Sequence, residues 1–135
     1  MPETIDWNAR GRQGLPGHLG IEVLSVERGR STLRMAVRPN LFAANGYLHA
    51  GSVVTLADTA CGYGCLASLP EGATAFTTLD LQSNFIATAR EGMLSCEARG
   101  RHLGRKTQVW EATVQHGEKV IAVFRCTQLV LWPGA

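Results

Sequence analysis

The chain has 135 residues, a length for one domain with a core of its own. Hydrophobic residues make up 45% and charged residues 18%, which excludes a disordered chain, and a formal net charge of +2 does not by itself argue for a nucleic-acid or membrane-surface partner. No apolar run reaches the roughly 18 residues a membrane helix needs. Residues 1–12 are polar, with Glu3 and Asp6, and do not read as a secretory leader, so the expectation is a single domain over residues 1–135 in the cytoplasm.

Residues 1–17 read as a short helix or arm closed by the turn residues Gly14, Pro16 and Gly17. From Leu19 the pattern becomes period two: Leu19, Ile21 and Val23, then, past a turn at 28–30, Leu33, Met35 and Val37 against Arg34 and Arg38. This predicts two strands joined tightly, the second ended by Pro39. A loop rich in Ala, Asn and Gly follows over 41–48. Residues 49–69, closed by Pro70, are too long for a strand and apolar almost all round, which predicts a buried helix. Gly62 and Gly64 weaken it intrinsically but let another group approach its backbone closely.

Beyond Pro70 the alternation returns. Leu79, Leu81 and Phe85 oppose Asp80, Gln82 and Asn84; Leu94, Cys96 and Ala98 oppose Ser95, Glu97 and Arg99; Trp110, Ala112 and Val114 oppose Glu111 and Thr113. A turn at 116–118 precedes a long apolar strand over 120–131. Short connections predict hairpins among these four strands, and the fold class is α+β: an antiparallel sheet of about six strands wrapped around one long central helix.

Cys61, Cys65, Cys96 and Cys126 include no C-x-x-C pair and read as buried free thiols. His18, His49, His102 and His116 are scattered without metal-ligand spacing, so no metal is expected.

Between Leu41 and Pro70 the one formally charged side chain is Asp58, in mid-helix, where Asp has poor propensity and desolvation is costly. A structural, hydrogen-bonded Asp is the plain explanation; a functional carboxylate is the favoured one, because perturbed carboxylates cluster at functional sites. The helix start is the second feature. His49, Ala50 and Gly51 follow a glycine-containing loop, and the first N–H groups of a helix are unpaired at the positive end of its dipole. The amides of Ala50 and Gly51 suit a carbonyl oxygen or oxyanion, with His49 orienting the loop or touching an acyl group. Helix rise puts Asp58 about 12 Å beyond Ala50. One carbonyl cannot meet both on the same straight helix, so a shared reaction implies two subunits with antiparallel helices and two composite sites.

The third feature is basic. Arg99, Arg101, His102, Arg105 and Lys106 surround a turn at 103–104, and Arg90 lies in another connection. A solvated hairpin explains them; so does a phosphate-binding rim for a nucleotide such as coenzyme A, formed by Arg90, Arg101, Arg105 and Lys106. Neither a G-x-G-x-x-G or Walker loop nor a G-x-S-x-G elbow is present.

The run Gly46-Tyr47-Leu48-His49-Ala50-Gly51-Ser52, continuing through Leu56-Ala57-Asp58, resembles the G-x-x-H-G-G and L-x-D pattern of the hotdog-fold acyl-CoA thioesterases, the PaaI-type and 4-hydroxybenzoyl-CoA group. Residues 101–107 and 123–125 are also similar to that group. The resemblance spans roughly residues 19–131. It implies a hotdog homodimer with shared sites, paired into a homotetramer, that hydrolyses an acyl-CoA thioester without a retained cofactor, coenzyme A being part of substrate and product. By position it implies Asp58 as the catalytic carboxylate, Ala50 as the residue whose amide polarises the carbonyl, and His49 as the motif histidine. Thr77 or Thr78 falls where some members carry a water-assisting hydroxyl. The sequence departs from the pattern at Ala50, where the family has glycine, and at Ala43, where members often carry Asn or Gln; Asn45 stands two residues later. A non-catalytic acyl-CoA-binding protein and a hotdog hydratase or dehydratase are the alternatives, and the acyl group is not legible.

Overall fold

Alternating apolar and polar side chains build the sheet, and one run of small and apolar residues builds the helix it holds. The computed structural model describes residues 4–134; Met1 to Glu3, the first residues of the expected arm, and Ala135 lie outside the described residues. Two short helices, α1 (Trp7–Arg10) and α2 (Leu15–His18), precede β1 (Ile21–Glu27) and β2 (Arg30–Ala36). A 3-10 turn (Pro39–Leu41) and a loop lead into α3 (Ala50–Ala67), followed by β3 (Ala75–Phe85), β4 (Met93–Leu103), β5 (Thr107–His116) and β6 (Lys119–Leu131). Among the described residues no helix is long and apolar enough to cross a membrane.

The strands form one six-stranded antiparallel sheet in the order β1-β2-β4-β5-β6-β3. The expected hairpins exist between β4 and β5 and between β5 and β6, but β3 and β4 are not neighbours. β3 pairs with β6 at one edge, while β4 takes its place beside β2. The connection over 86–92 therefore carries the chain from the β3 edge to the place beside β2. At the open edge, β3 carries a bulge at Leu79, between the paired residues Thr78 and Asp80. The bulge breaks the simple alternation: Leu81 and Phe85 share the side of the buried Cys126 and Ala122, and Leu79 is the unpaired residue.

The core lies between the sheet and one side of α3. Leu33, Met35, Leu56, Leu94, Trp110 and Val114 are fully buried there. Trp110 fits against the helix because Gly64 has no side chain: a Cβ at Gly64 would stand 2.5 Å from two carbons of the indole ring. The indole is held in turn, its Nε1 donating to Gln108 Oε1 (2.8 Å), while Gln108 Nε2 donates to the Ser68 carbonyl at the end of α3 (3.0 Å). Contrary to expectation, α3 is not buried all round. Val54, Thr55, Asp58, Thr59, Tyr63 and Leu66 are only half-buried. Their three-and-four spacing forms a stripe away from the sheet.

All four cysteines are buried free thiols. Desolvation pushes Cys65 and Cys96 up to about 12, and a hydrogen bond with Cys126, then burial, puts Cys61 well above the ordinary thiol value.

Candidate active site

The two ends of the site come from one helix. At its start, His49 is the N-cap, with its Nδ1 accepting from the Gly51 N–H at 2.8 Å, which fixes the ring proton on Nε2. The Ser52 N–H donates to the His49 carbonyl at 3.0 Å. The Gly51 amide, expected to be free for a carbonyl oxygen beside that of Ala50, is therefore engaged by the histidine ring. Among the described residues no acceptor pairs with the Ala50 N–H. Of the first helical amides, Ala50 is the one left without an acceptor among the described residues, at the positive end of α3.

Ala50 lines a largely apolar cavity of about 550 Å³ together with Asn45, Tyr47, His49, Val53, Phe85 and neighbouring residues. The loop thus brings Asn45 into the same cavity as Ala50. The Asn45 side-chain oxygen accepts from the Tyr47 N–H at 3.2 Å, which leaves its amide NH₂ as the donor. Leu48 N–H donates to Thr88 Oγ1 at 3.1 Å and fixes the loop's return into the helix.

Asp58 lies elsewhere. It borders a separate cavity of about 230 Å³, lined also by Arg10, Pro16, Gly62, Tyr63, Leu66 and Phe76. Its Oδ1 is a buried polar atom with no hydrogen-bond partner among the described residues. Burial raises its pKa above the ordinary carboxylate value. An unpaired, partly desolvated carboxylate is poised to accept a proton or to attack an electrophile. Within one chain it is two helical turns and a different cavity away from Ala50.

The sequence profile described as Thioesterase superfamily matches residues 45–123, from the loop before α3 into β6. The chain belongs to the thioesterase superfamily. This thioesterase is similar to the 1,4-dihydroxy-2-naphthoyl-CoA hydrolase of Listeria monocytogenes serotype 1/2a (strain 10403S), at 34% identity over 115 residues, 84% of this chain and 93% of the relative. It is 29% identical to the acyl-coenzyme A thioesterase PaaI of Escherichia coli (strain K12), over 79% of this chain and 75% of that protein. A solved thioesterase from Haemophilus influenzae superimposes with a TM-score of 0.88 at 27% identity, covering 98% of this chain and 95% of that one. The architecture is the hotdog fold, and the chain is a thioester hydrolase.

Around these two centres the thioesterase places the other candidates unevenly. Thr78 shares the side of the buried Gln128, donating its hydroxyl to Gln128 Oε1 at 2.7 Å, and Thr77 pairs with Leu129 on the opposite side of β3. Arg90 is at the α3 N-terminal end, its Nη1 donating to the Gly46 carbonyl at 3.3 Å and its guanidinium 5.5 Å from the Tyr47 ring centre. Arg101, Arg105 and Lys106 are at the other end, beside the helix C-terminus where Gln108 meets Ser68. The four do not form one rim within a protomer. Arg101 also pairs with Glu111 across β4 and β5 (3.1 Å), and Arg105 lies over the Trp132 ring, 4.5 Å from its centre. The acid paired with Arg101 comes from neighbouring strand β5 and not from the residues of the turn itself. Among the described residues no three His, Cys, Asp or Glu side chains gather as a metal site requires.

Sequence reasoning missed Arg10, Pro16 and Tyr63 beside Asp58. Tyr63 stands one helical turn past Thr59 on the half-buried stripe and was readable from spacing; Arg10 and Pro16 reach the cavity by tertiary packing alone.

Proposed function

We propose that this thioesterase hydrolyses an aryl- or short- to medium-chain acyl-CoA in sites shared by two protomers of a homodimer. One observation carries the reading: the unpaired Ala50 N–H and the unpartnered Asp58 carboxylate, about 12 Å apart along one helix, open into different cavities. A second copy of α3, packed antiparallel, brings each N-terminus to the other's Asp58. The surface for that copy is at hand, since edge strand β3 and the residue after it expose Leu79, Leu81, Phe85 and Ile86.

In this scheme the thioester oxygen rests on the Ala50 N–H, where the helix dipole adds to the hydrogen bond as negative charge develops. Asp58 of the partner subunit, made more basic by burial, either takes a proton from water or attacks the carbonyl carbon itself. In both routes the carbon–sulfur bond breaks, one water is consumed, and a proton ends on the coenzyme A thiol. Attack by Asp58 gives an acyl-aspartyl anhydride, and where water opens it at the aspartyl carbonyl a single turnover in ¹⁸O water leaves label in the Asp58 carboxylate while an Asp58 oxygen departs with the acid; base catalysis puts the label only into the acid. Asn45 donates its amide into the acyl or pantetheine path, Thr78 supplies a hydroxyl facing inward from β3, and Arg90 guards the outer end of the larger cavity. Arg101, Arg105 and Lys106 meet the nucleotide phosphates from the partner's side.

Mixing inactive variants tests the shared site. Asp58→Ala alone abolishes thiol release from a responsive acyl-CoA, and Ala50→Pro alone strongly reduces it. Refolded together, they form heterodimers in which one of the two sites has both native groups, so about a quarter of wild-type activity returns at random pairing. No recovery from a well-formed mixed dimer sinks the composite site; full activity of Asp58→Ala sinks the carboxylate's role.

A further inference from the structure

The cavity beside Asp58 has two walls that the thioesterase profile does not cover, since Arg10 and Pro16 lie in the arm ahead of residues 45–123. That arm is anchored at several points. Asn8 clamps Val23 of the edge strand β1, its Oδ1 accepting from the Val23 N–H (2.7 Å) and its Nδ2 donating to the Val23 carbonyl (3.2 Å). Asp6 caps α1 by accepting from the Ala9 N–H at 3.0 Å. The Trp7 ring lies 5.1 Å from the Tyr63 ring, and Gly11 passes so close to the Tyr63 hydroxyl that a Cβ there would stand 2.6 Å from it. The arm is therefore fitted to α3 at the residue five positions past Asp58.

What it completes has a definite chemistry. Tyr63, Phe76, Pro16 and Leu66 give aromatic and apolar walls, and Gly62 leaves the Phe76 ring close to the helix backbone. A cavity of about 150 Å³ takes benzene, so the 230 Å³ here accommodates one substituted ring. Two residues of the lining carry polar groups besides Asp58, Tyr63 with its hydroxyl and Arg10 with its guanidinium, and they are near enough that the Arg10 charge acts on the phenol. Burial raises the phenol above its ordinary value and the Arg10 charge opposes this, so at neutral pH the hydroxyl remains a donor. Among the described residues no carboxylate is within ion-pair distance of Arg10. The backbone positions of Asp58 and Tyr63 are separated along the helix axis by about 7.5 Å, so a ring lying along α3 reaches from one towards the other.

We infer that the N-terminal arm is a wall of the acyl cavity and that Arg10, with Tyr63, selects an aromatic acyl group bearing an anionic oxygen substituent opposite the thioester. The inference rests on the thioesterase reading with Asp58 at the reacting carbon. A carboxylate there receives a charge-assisted hydrogen bond from the guanidinium and one from the phenol. Its charge is held at the far side of the ring from Asp58.

The test compares kcat/KM for 4-carboxybenzoyl-CoA, the uncharged 4-carbamoylbenzoyl-CoA of similar shape, and benzoyl-CoA. Wild type should prefer the carboxylated thioester over the carbamoyl one by about tenfold or more, the range of a hydrogen bond to a charged group. Arg10→Ala should lower that ratio by about the same factor, Arg10→Lys should recover part of it, and Tyr63→Phe should lower it less. A wild-type ratio near one, or a ratio that survives Arg10→Ala, overturns the inference while leaving the thioesterase reading standing. Asp58→Ala in the same panel separates the two: turnover retained there overturns the reaction-centre reading, whatever the substituent preference. A wild type inactive toward all three thioesters overturns the aromatic assignment.

Discussion

Ala50→Pro removes one hydrogen-bond donor and almost nothing else. Ala50 is the first residue of α3, a position where proline's fixed φ suits the helix and its missing N–H is one that no helical carbonyl claims. The preceding His49 sits at φ −64° and ψ 133°, inside the extended region that a residue before proline prefers. The cap from Gly51 N–H to His49 Nδ1 does not involve the Ala50 nitrogen and stays in place. The variant should therefore melt like the wild type. Loss of a single oxyanion donor costs about 10²–10³ in kcat, or about 2.7–4 kcal/mol of transition-state stabilisation. The assay is thiol release under saturating acyl-CoA, with KM measured alongside and melting followed at equal protein concentration. The expected result is a fall of that size in kcat with a small change in KM, since the amide gains strength only as charge builds on the oxygen. A kcat within about threefold of wild type, in a variant that melts normally, refutes the assignment of the Ala50 amide.

Two further outcomes concern stability. Because burial raises the Asp58 pKa, folding disfavours its ionised form: the stability tied to it is fully present below the unfolded carboxylate value, about 3.8, and is lost as pH rises through the higher native value. Asp58→Asn should accordingly melt above the wild type at neutral pH, with the gap closing as the solution is acidified; a gap independent of pH would contradict this. Gly64→Ala gains about 1 kcal/mol of helix propensity but drives a methyl to 2.5 Å from the Trp110 ring, which Gln108 and Ser68 hold in place. Overpacking of about 3 kcal/mol outweighs the gain and should lower Tm by about 8 °C. Gly62→Ala, whose Cβ would meet the half-buried Phe76 ring at 3.2 Å, should differ from wild type by much less, and equal effects at the two glycines would refute this ranking.

Much of this was legible locally. Period-two alternation marked the strands, and the run closed by Pro70 marked the helix, because a side chain's inside or outside preference repeats along the chain. Partner choice does not repeat that way, so the place of β3 beside β6 was invisible, as was the shift its Leu79 bulge imposes. Asp58 stood out because a lone charge in an apolar helix has a cost that composition reveals. The competition for the Gly51 amide did not: it depends on the rotamer of the His49 ring. Residues 1–17 read as a short helix or arm and no further, since the two four-residue helices there are too short to show a period, and the meeting with Tyr63 is a contact between segments far apart in sequence.

The buried thiols acquire a meaning from the reaction. A thioesterase acting on acyl-CoA liberates a free thiol at every turnover, and a disulfide of that thiol, once oxidised, would exchange with any accessible cysteine thiolate. Exchange needs a thiolate and a path to it. Cys61, Cys65 and Cys96 lie in the core, with thiols raised far above neutral pH, and Cys126 is equally enclosed. The folded enzyme is thus chemically deaf to the oxidised form of its own product, and mixed disulfides formed from coenzyme A disulfide would mark only those molecules that had opened.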